Sequence, residues 1–559
     1  MERKGTINPK RASSFTLLIL ALCLASTLSH SSGDPIPKQR KFTPSEILEL
    51  EERFKITSCS FNQTHITLGD AYSNSSSEHQ FTITTVAMGP CDAPVLLLDN
   101  DNPTKPSYTK PYQFAYSEPQ ISFYKRTVYF WYISKTTAAN HDTWALATGT
   151  AQKFENFTQA FKFPPRAQDH EKIIKVAVIA DMDITPTAYP TMNELGSFGG
   201  DRLDMVIHAG DMAYDIHFDN GLLGDYFYNN MSAITTKVPY FVVAGNHEYV
   251  DTTKFFGYRF RMPGTNVKDN DGVKWYSYDY KNTHFSFLDF DHIMNYRPDR
   301  MNEGFLWLWN DLEQASKNEN IKWIVFIVHR PFYCNDVVYT SDCTRNFFNF
   351  RRFEALVRKF HVDLTIHGHV HLYSRLKLLK NFMPFDYPKD NKPGLPVMII
   401  AGHSGTKHFF ASPKMNPIYT YPITQVVNNA HASWLEIDIS EDQIEVKTWN
   451  SGLNTTADSL VILKEDIPQG DEGTKLIYLI IVVVVVVVCA VLALITIIFM
   501  RGKGMDGDGV GVKDNVSDGG SVDAEEYAIA REISDGGASD RDSRNQSMEL
   551  DLEDDNDQI

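Results

Sequence analysis

The chain has 559 residues, a formal net charge of −17 at pH 7, 43% hydrophobic and 22% charged residues. That length exceeds one compact domain and predicts two or three units. The composition excludes a chain that is disordered throughout. The acidic balance, without any basic run, gives no footing for nucleic acid.

In chain order, a basic start (Arg3, Lys4, Lys10, Arg11) precedes an apolar run from Phe15 to about Leu28. Small residues (Ser26, Ser29, Ser31) close it, and residues 1–30 read as a secretory signal peptide. Near the other end, Leu476 to Met500 carries no charge and includes seven consecutive valines, Val482 to Val488. Such a run crosses a ~30 Å hydrocarbon core as one helix. Arg501 and Lys503 follow it and fit a cytosolic exit, although Lys475 on the other side weakens the asymmetry. The expected topology is a single-pass type I membrane protein, with residues 34–475 extracellular or in the endolysosomal lumen. Residues 501–559 hold 17 acidic and six basic side chains with much Gly and Ser. Disorder is the default for such a cytosolic tail.

Cys23 lies in the signal and Cys489 in the span, leaving Cys59, Cys91, Cys334 and Cys343. An even number outside the cytosol predicts two disulfides. Proximity favours Cys59–Cys91 and Cys334–Cys343, although four cysteines allow three pairings. Sequons at Asn62, Asn74, Asn156, Asn230 and Asn454 are expected to carry glycans. Those at Asn515 and Asn545 fall on the wrong side of the membrane.

Residues 40–168 contain short β-branched and aromatic segments, such as His65 to Leu68, Gln80 to Val86 and Thr127 to Ile133. Turn-forming clusters separate them, which predicts an all-β, immunoglobulin- or fibronectin-like sandwich. Phe163-Pro-Pro-Arg-Ala reads as a linker. From Lys172 the rhythm changes. Apolar runs at Ile173–Ala180, Leu203–Ala209, Val238–Ala244, Ile321–Val328 and Val362–Ile366 fit strands buried on both faces of an α/β fold spanning 172–465. A sixth strand is expected at Val397–Ala401, a late hairpin over 434–449, and helices around 305–316 and 353–360.

The residues just beyond each strand carry the chemistry. The first run ends in Asp181, the second in Gly210-Asp211-Met212-Ala213-Tyr214, the third in Gly245-Asn246-His247-Glu248. The fourth ends in His329-Arg330-Pro331 and the fifth in His367-Gly368-His369-Val370-His371. Oxygen and imidazole donors thus recur at the carboxyl ends of five strands, where α/β sheets build their sites. A hard metal pair needs this mix of carboxylate, amide oxygen and imidazole.

These motifs resemble the metallophosphoesterases, and among them the purple acid phosphatases, over roughly residues 60–450. The carboxylate followed by Gly-Asp-x-x-Tyr, Gly-Asn-His-Asp/Glu, a histidine after a strand and Gly-His-x-His is that family's signature, and the Tyr214 position separates it from the wider superfamily. The resemblance implies that Asp181, Tyr214 and His371 bind one Fe(III). It implies that Asn246, His329 and His369 bind a second metal (Fe, Zn or Mn), and that Asp211 bridges both. It further implies an acid phosphatase acting on small phosphomonoesters through a metal-bound hydroxide. His247 would steady the phosphate or protonate the leaving group. Two alternatives stand beside it: a nucleotide phosphodiesterase or pyrophosphatase on the same core, and a surface receptor or adhesion protein with an inert phosphatase domain. The segments 215–235 and 376–395 are expected to line the pocket.

The sequence also departs from the family. Asp183 stands where Asp-x-Gly is usual, which suggests a turn needing φ > 0 that Asp tolerates. Its side chain is expected to face solvent, to cap the local loop, or to act as a carboxylate near the metals. Asn335-Asp336-Val337-Val338 replaces the extra histidines of many plant members. The Cys334–Cys343 pair looks more like the animal and fungal branch, and a membrane span with an acidic tail is atypical.

Overall fold

A computed structural model describes residues 59–464, apart from internal segments of which the longest are 70–78, 105–111, 115–125, 165–172, 265–272, 333–346, 385–396 and 407–423. The expected signal peptide, span and tail lie outside the described residues, as do Asn74, Asn156, Cys334 and Cys343. Among the described residues no helix is long and apolar enough to cross a membrane.

The first nine strands are β1 (Ser60–Leu68), β2 (His79–Met88), β3 (Pro94–Leu98), β4 (Asn102–Thr104), β5 (Tyr112–Phe114), β6 (Arg126–Ser134), β7 (Thr143–Thr150), β8 (Lys153–Glu155) and β9 (Phe161–Lys162). They form two antiparallel sheets, ordered β1-β2-β6-β5 and β4-β3-β7-β8, with β9 on β7. A short helix, α1 (Lys135–Asn140), interrupts the strands, and Ser134 Oγ accepts from the Thr137 N–H to cap it. Cys59 and Cys91 are disulfide-bonded, one of the two expected pairs.

The strands then lengthen the apolar runs of the sequence into two further sheets. The first contains β10 (Ile174–Ile179), β11 (Met205–His208) and β12 (Tyr240–Val242), all parallel. The second contains β13 (Trp275–Tyr280), β14 (Thr283–Leu288), β15 (Trp323–Val328), β16 (Leu364–His367), β17 (Tyr373–Lys377), β20 (Val397–Ala401) and β21 (Thr424–Asn428). A small ladder, β18 (Leu379–Lys380) with β19 (Met383–Pro384), lies apart. The expected late hairpin is β22 (Ser433–Ile439) and β23 (Gln443–Asn450), joined by β24 (Thr455–Leu463). Its first strand pairs antiparallel with β10, so the end of this unit completes the first sheet. Sequence spacing gives no hint of that pairing, because it joins segments about 260 residues apart.

The sheets face each other in an α/β sandwich. Strand β15 shows why these runs are apolar throughout. Trp323, Val325 and Ile327 point into the core shared with the first sheet, while Ile324, Phe326 and Val328 point into a second core. Helices α2 (Tyr189–Ser197) and α3 (Leu222–Thr235) cover the first sheet. Helices α4 (Met301–Lys317) and α5 (Phe347–Lys359) cover the second through Leu308, Leu312, Phe353 and Val357. Of the segment 215–235, residues 222–235 are helix α3, packed along β1 of the N-terminal sandwich, and the described residues before it form the end of the loop after β11. Of the described sequons, Asn62 lies in β1 with its Nδ2 on Ser60 Oγ, and Asn230 lies in α3 donating to Tyr226 O. Asn454 is exposed in a left-handed turn (φ 50°).

Candidate metal centre

The loops that leave β10, β11, β12, β15 and β16 meet at one edge of the two sheets. Asp181 follows β10 with φ 53°, and Asp211, Ala213, Tyr214 and Asp215 follow β11 with φ between 47° and 84°. His369, after β16, has φ 70°. Six non-glycine residues in the left-handed region cost of order 1–3 kcal/mol each and persist only where their surroundings hold them. The backbone also passes close beneath the side chains. A Cβ on Gly245 would meet Asp211 Oδ1 at 2.2 Å, and one on Gly368 would meet Asp181 Oδ2 at 2.5 Å. These glycines of the Gly-Asn-His and Gly-His-x-His segments are therefore required by space.

Two groups of donors result. In the first, Tyr214 Oη lies 3.1 Å from Asp181 Oδ1 and 2.7 Å from His371 Nε2, and His371 Nε2 lies 3.4 Å from Asp181 Oδ1. In the second, ligand atoms of Asp211, His329 and His369 all lie within 4.8 Å of one another. Asn246 Oδ1, beside them, is buried without a hydrogen-bond partner. His369 N–H donates to Asp181 Oδ2 at 2.8 Å and joins the groups. The seven residues singled out as ligands thus come from all five loops to one place.

The donors fit a metal pair. His329 Nδ1 donates to Ala209 O at 2.7 Å, which turns Nε2 toward Asp211 Oδ2, 3.2 Å away. Asn246 adds a buried amide oxygen without a hydrogen-bond partner, an acceptor open to a cation. Asp181, Asp211, Asp215, Glu248, Asp289 and Asp291 are all at most 4% exposed. So many buried carboxylates call for cationic charge. Arg330 supplies part of it, with Nε 2.6 Å from Asp291 Oδ1 and Nη1 2.9 Å from His369 Nε2. Burial disfavours a charged His329, but Asp211 outweighs it and pushes the imidazole up to about 10.

His247 stands beside the second group, its Nε2 3.9 Å from Asp211 Oδ2. Its Nδ1 is held by Asp215 Oδ1 at 2.8 Å. Burial opposes its charge, yet the Asp211 and Asp215 carboxylates push it up to about 9. Sequence reasoning missed Asp215, although it directly follows Tyr214. It also gave no role to Glu248, whose buried carboxylate accepts from the N–H groups of Asp211, Met212 and Gly245. Burial and the nearby Asp211 push that carboxyl up to about 7. His403, on the loop after β20, is fully buried and feels His371 and Asp181 electrostatically; burial lowers it to about 4. No motif pointed to it.

Asp183 corrects one expectation and meets another. The left-handed residue of its loop is Asp181, not Asp183. Asp183 is 4% exposed, and its Oδ1 accepts from the Ile184 N–H at 2.7 Å, so it caps the loop and does not face solvent.

Residues 174–373 match the family model described as calcineurin-like phosphoesterase. Acid phosphatase type 7 of Mus musculus is 29% identical to the chain over 313 residues, covering 52% of this chain and 69% of that protein. Acid phosphatase type 7 of Danio rerio is 33% identical over 270 residues, covering 43% of this chain and 59% of that protein. The chain thus spans less than two thirds of the zebrafish relative. A purple acid phosphatase from yellow lupin (Lupinus luteus) seeds shares the fold, with a TM-score of 0.56 at 16% identity, covering 74% of this chain and 78% of that one. The chain is thus similar to calcineurin-like phosphoesterases over residues 174–373 and, over about half its length, to proteins named acid phosphatase type 7. The α/β sandwich around the centre is the metallophosphoesterase fold.

Proposed function

We propose that the chain is an acid phosphatase that hydrolyses small phosphomonoesters on a dinuclear centre of Fe(III) and a second metal (Fe, Zn or Mn). The observation that carries the reading is the convergence of two donor groups on one edge, joined by the His369 N–H on Asp181 Oδ2. Asp181, Tyr214 and His371 would hold one ion, Asn246, His329 and His369 the other, and Asp211 both. Bound there, the metal pair would neutralise phosphate charge and lower the pKa of water from ~15.7 to ~7.

The chain's own residues do the rest. Asp215 accepts from His247 Nδ1, which fixes the ring and keeps Nε2 turned toward Asp211. Held protonated, His247 donates its Nε2 proton to the leaving-group oxygen, or a hydrogen bond to the phosphate. Ala209 O orients His329, and the His369 N–H orients Asp181. We also propose the type I topology, with this domain outside the cytosol.

The purified full-length chain is expected to contain about two metals with at least one iron, and to hydrolyse a phosphomonoester. His369→Ala should lose metal and activity together. His247→Ala should keep metal and lose turnover by ~10²–10⁴. A metal-free wild type, or a His369→Ala enzyme with full activity, contradicts the reading. Protease protection of sealed, lumen-in vesicles tests the topology: the domain should be protected and the tail cut.

A further inference from the structure

The loop after β11 holds three consecutive left-handed residues, Ala213, Tyr214 and Asp215, behind a fourth at Asp211. Such a run does not hold itself, and its own sequence offers no glycine beyond Gly210 to relax it. The Ala213 N–H is held by Met182 O of the loop after β10 at 2.8 Å, and the two N–H groups before it, at Asp211 and Met212, are held from the loop after β12. Glu248 Oε2 accepts from Asp211 N–H at 2.9 Å and from Gly245 N–H at 2.7 Å, while Oε1 accepts from Met212 N–H at 2.8 Å. In return Asp211 Oδ1 accepts from His247 N–H at 2.9 Å. Each loop therefore lends a carboxylate to the backbone of the other.

We infer that Glu248 is a positioning residue for the metal centre: it locks the loops of Asp211 and Asn246 together so that Asp211 presents Oδ2, and Asn246 its amide oxygen, to the second ion. The inference rests on the two-metal reading above. Both Glu248 oxygens are occupied by backbone N–H groups, so Glu248 holds the centre without binding metal. With Oδ1 of Asp211 occupied by the His247 N–H, its Oδ2 is the oxygen that faces His329 Nε2. The donors Asp181, Tyr214 and His371 are tied by their own contacts, in which Glu248 has no share. Of the ligands proposed for the first ion only Asp211 depends on the clamp, against Asp211 and Asn246 for the second, so removing the clamp acts more strongly on the second ion. An aspartate is shorter by one carbon, about 1.5 Å, and cannot reach all three N–H groups. A glutamine has the right length but faces one N–H with its own amide donor.

The test uses the full-length chain as wild type, Glu248→Gln and Glu248→Asp, with Zn²⁺ titrated into iron-loaded protein against a chromophoric chelator. Wild type is expected to bind iron and one Zn²⁺. Both variants are expected to bind Zn²⁺ at least tenfold more weakly while keeping iron and its visible absorption, with Glu248→Asp the weaker. If Glu248→Asp does not fold, the isosteric Glu248→Gln decides alone. Variants that lose thermal stability but bind Zn²⁺ like wild type would make Glu248 merely structural and overturn the inference. Equal loss of iron and Zn²⁺ would overturn it too. A wild type that never binds a second ion overturns the clamp together with the two-metal reading, whereas wild-type Zn²⁺ affinity in the variants removes the clamp alone.

Discussion

Two regions of this protein bury clusters of charge, and they do so in opposite ways. Where the N-terminal sandwich meets α3, Asp225 is fully buried and every partner is in place. Arg126 Nε donates to Oδ2 at 2.7 Å, and Gln63 Nε2 and Arg259 Nη2 donate to Oδ1 at 2.7 and 2.6 Å. Burial opposes ionisation of Asp225, but the two guanidiniums hold its carboxyl below the usual range. At the candidate metal centre the same burial surrounds carboxylates and imidazoles that face one another. Left-handed backbone supports them, and the amide oxygen of Asn246 is left without a partner. A buried polar cluster that is satisfied internally welds structure together. One that is strained and incomplete is built for something that arrives from outside.

The comparison predicts unequal stability effects. Asp225→Ala leaves two buried guanidiniums uncompensated and should cost about 3–5 kcal/mol in chemical denaturation of metal-free protein. Asn246→Ala removes an acceptor that no protein donor uses, and its cost in the same assay should stay below about 1 kcal/mol. Equal losses would erase the distinction between the two regions.

A smaller effect is expected at Asp215. Because its carboxylate helps to push His247 up to about 9, Asp215→Asn should lower the pKa of that imidazole. A proton-donating His247 then loses its proton earlier, so the alkaline limb of the kcat–pH profile should move to lower pH. A limb that stays in place means that a group other than His247 sets it.

The smallest effect lies at a third cluster on β13 and β14. His284 is clasped by Asp279 at 2.6 Å and Asp311 at 3.1 Å, and Asp279 is half exposed. Burial opposes the charge, but the two carboxylates push His284 up to about 9. A folded pKa above the unfolded value of ~6.5 gives stability that is fully present below pH 6.5 and lost as pH rises through 9. Asp279→Asn should cost at most about 1 kcal/mol at pH 6, fading by pH 10, as denaturation at both values would measure. A cost independent of pH would mean that the pair is not ionic.

Much of the site was legible because its information is local. A strand buried on both faces is apolar along its whole length, as in Ile324 to Val328, and the residues just beyond its carboxyl end reach one edge of the sheet. Asp181, Asp211, Tyr214, Asn246, His329, His369 and His371 could therefore be read one strand at a time. Asp183 was misread because a departure from a glycine pattern does not say which neighbour takes the left-handed turn.

By itself, the sequence determined the main strands and the donor residues that follow each of them, since local periodicity and residue chemistry carry these. Only the tertiary structure decided which residues support them. Asp215 meets His247 from 32 residues away, Glu248 grips the backbone of Asp211 across 37, and Arg126 reaches Asp225 across 99. The antiparallel pairing of β22 with β10 likewise brings the chain's late hairpin into the first sheet of the α/β sandwich. Such pairings arise from how sheets and helices pack, and no spacing along the chain encodes them.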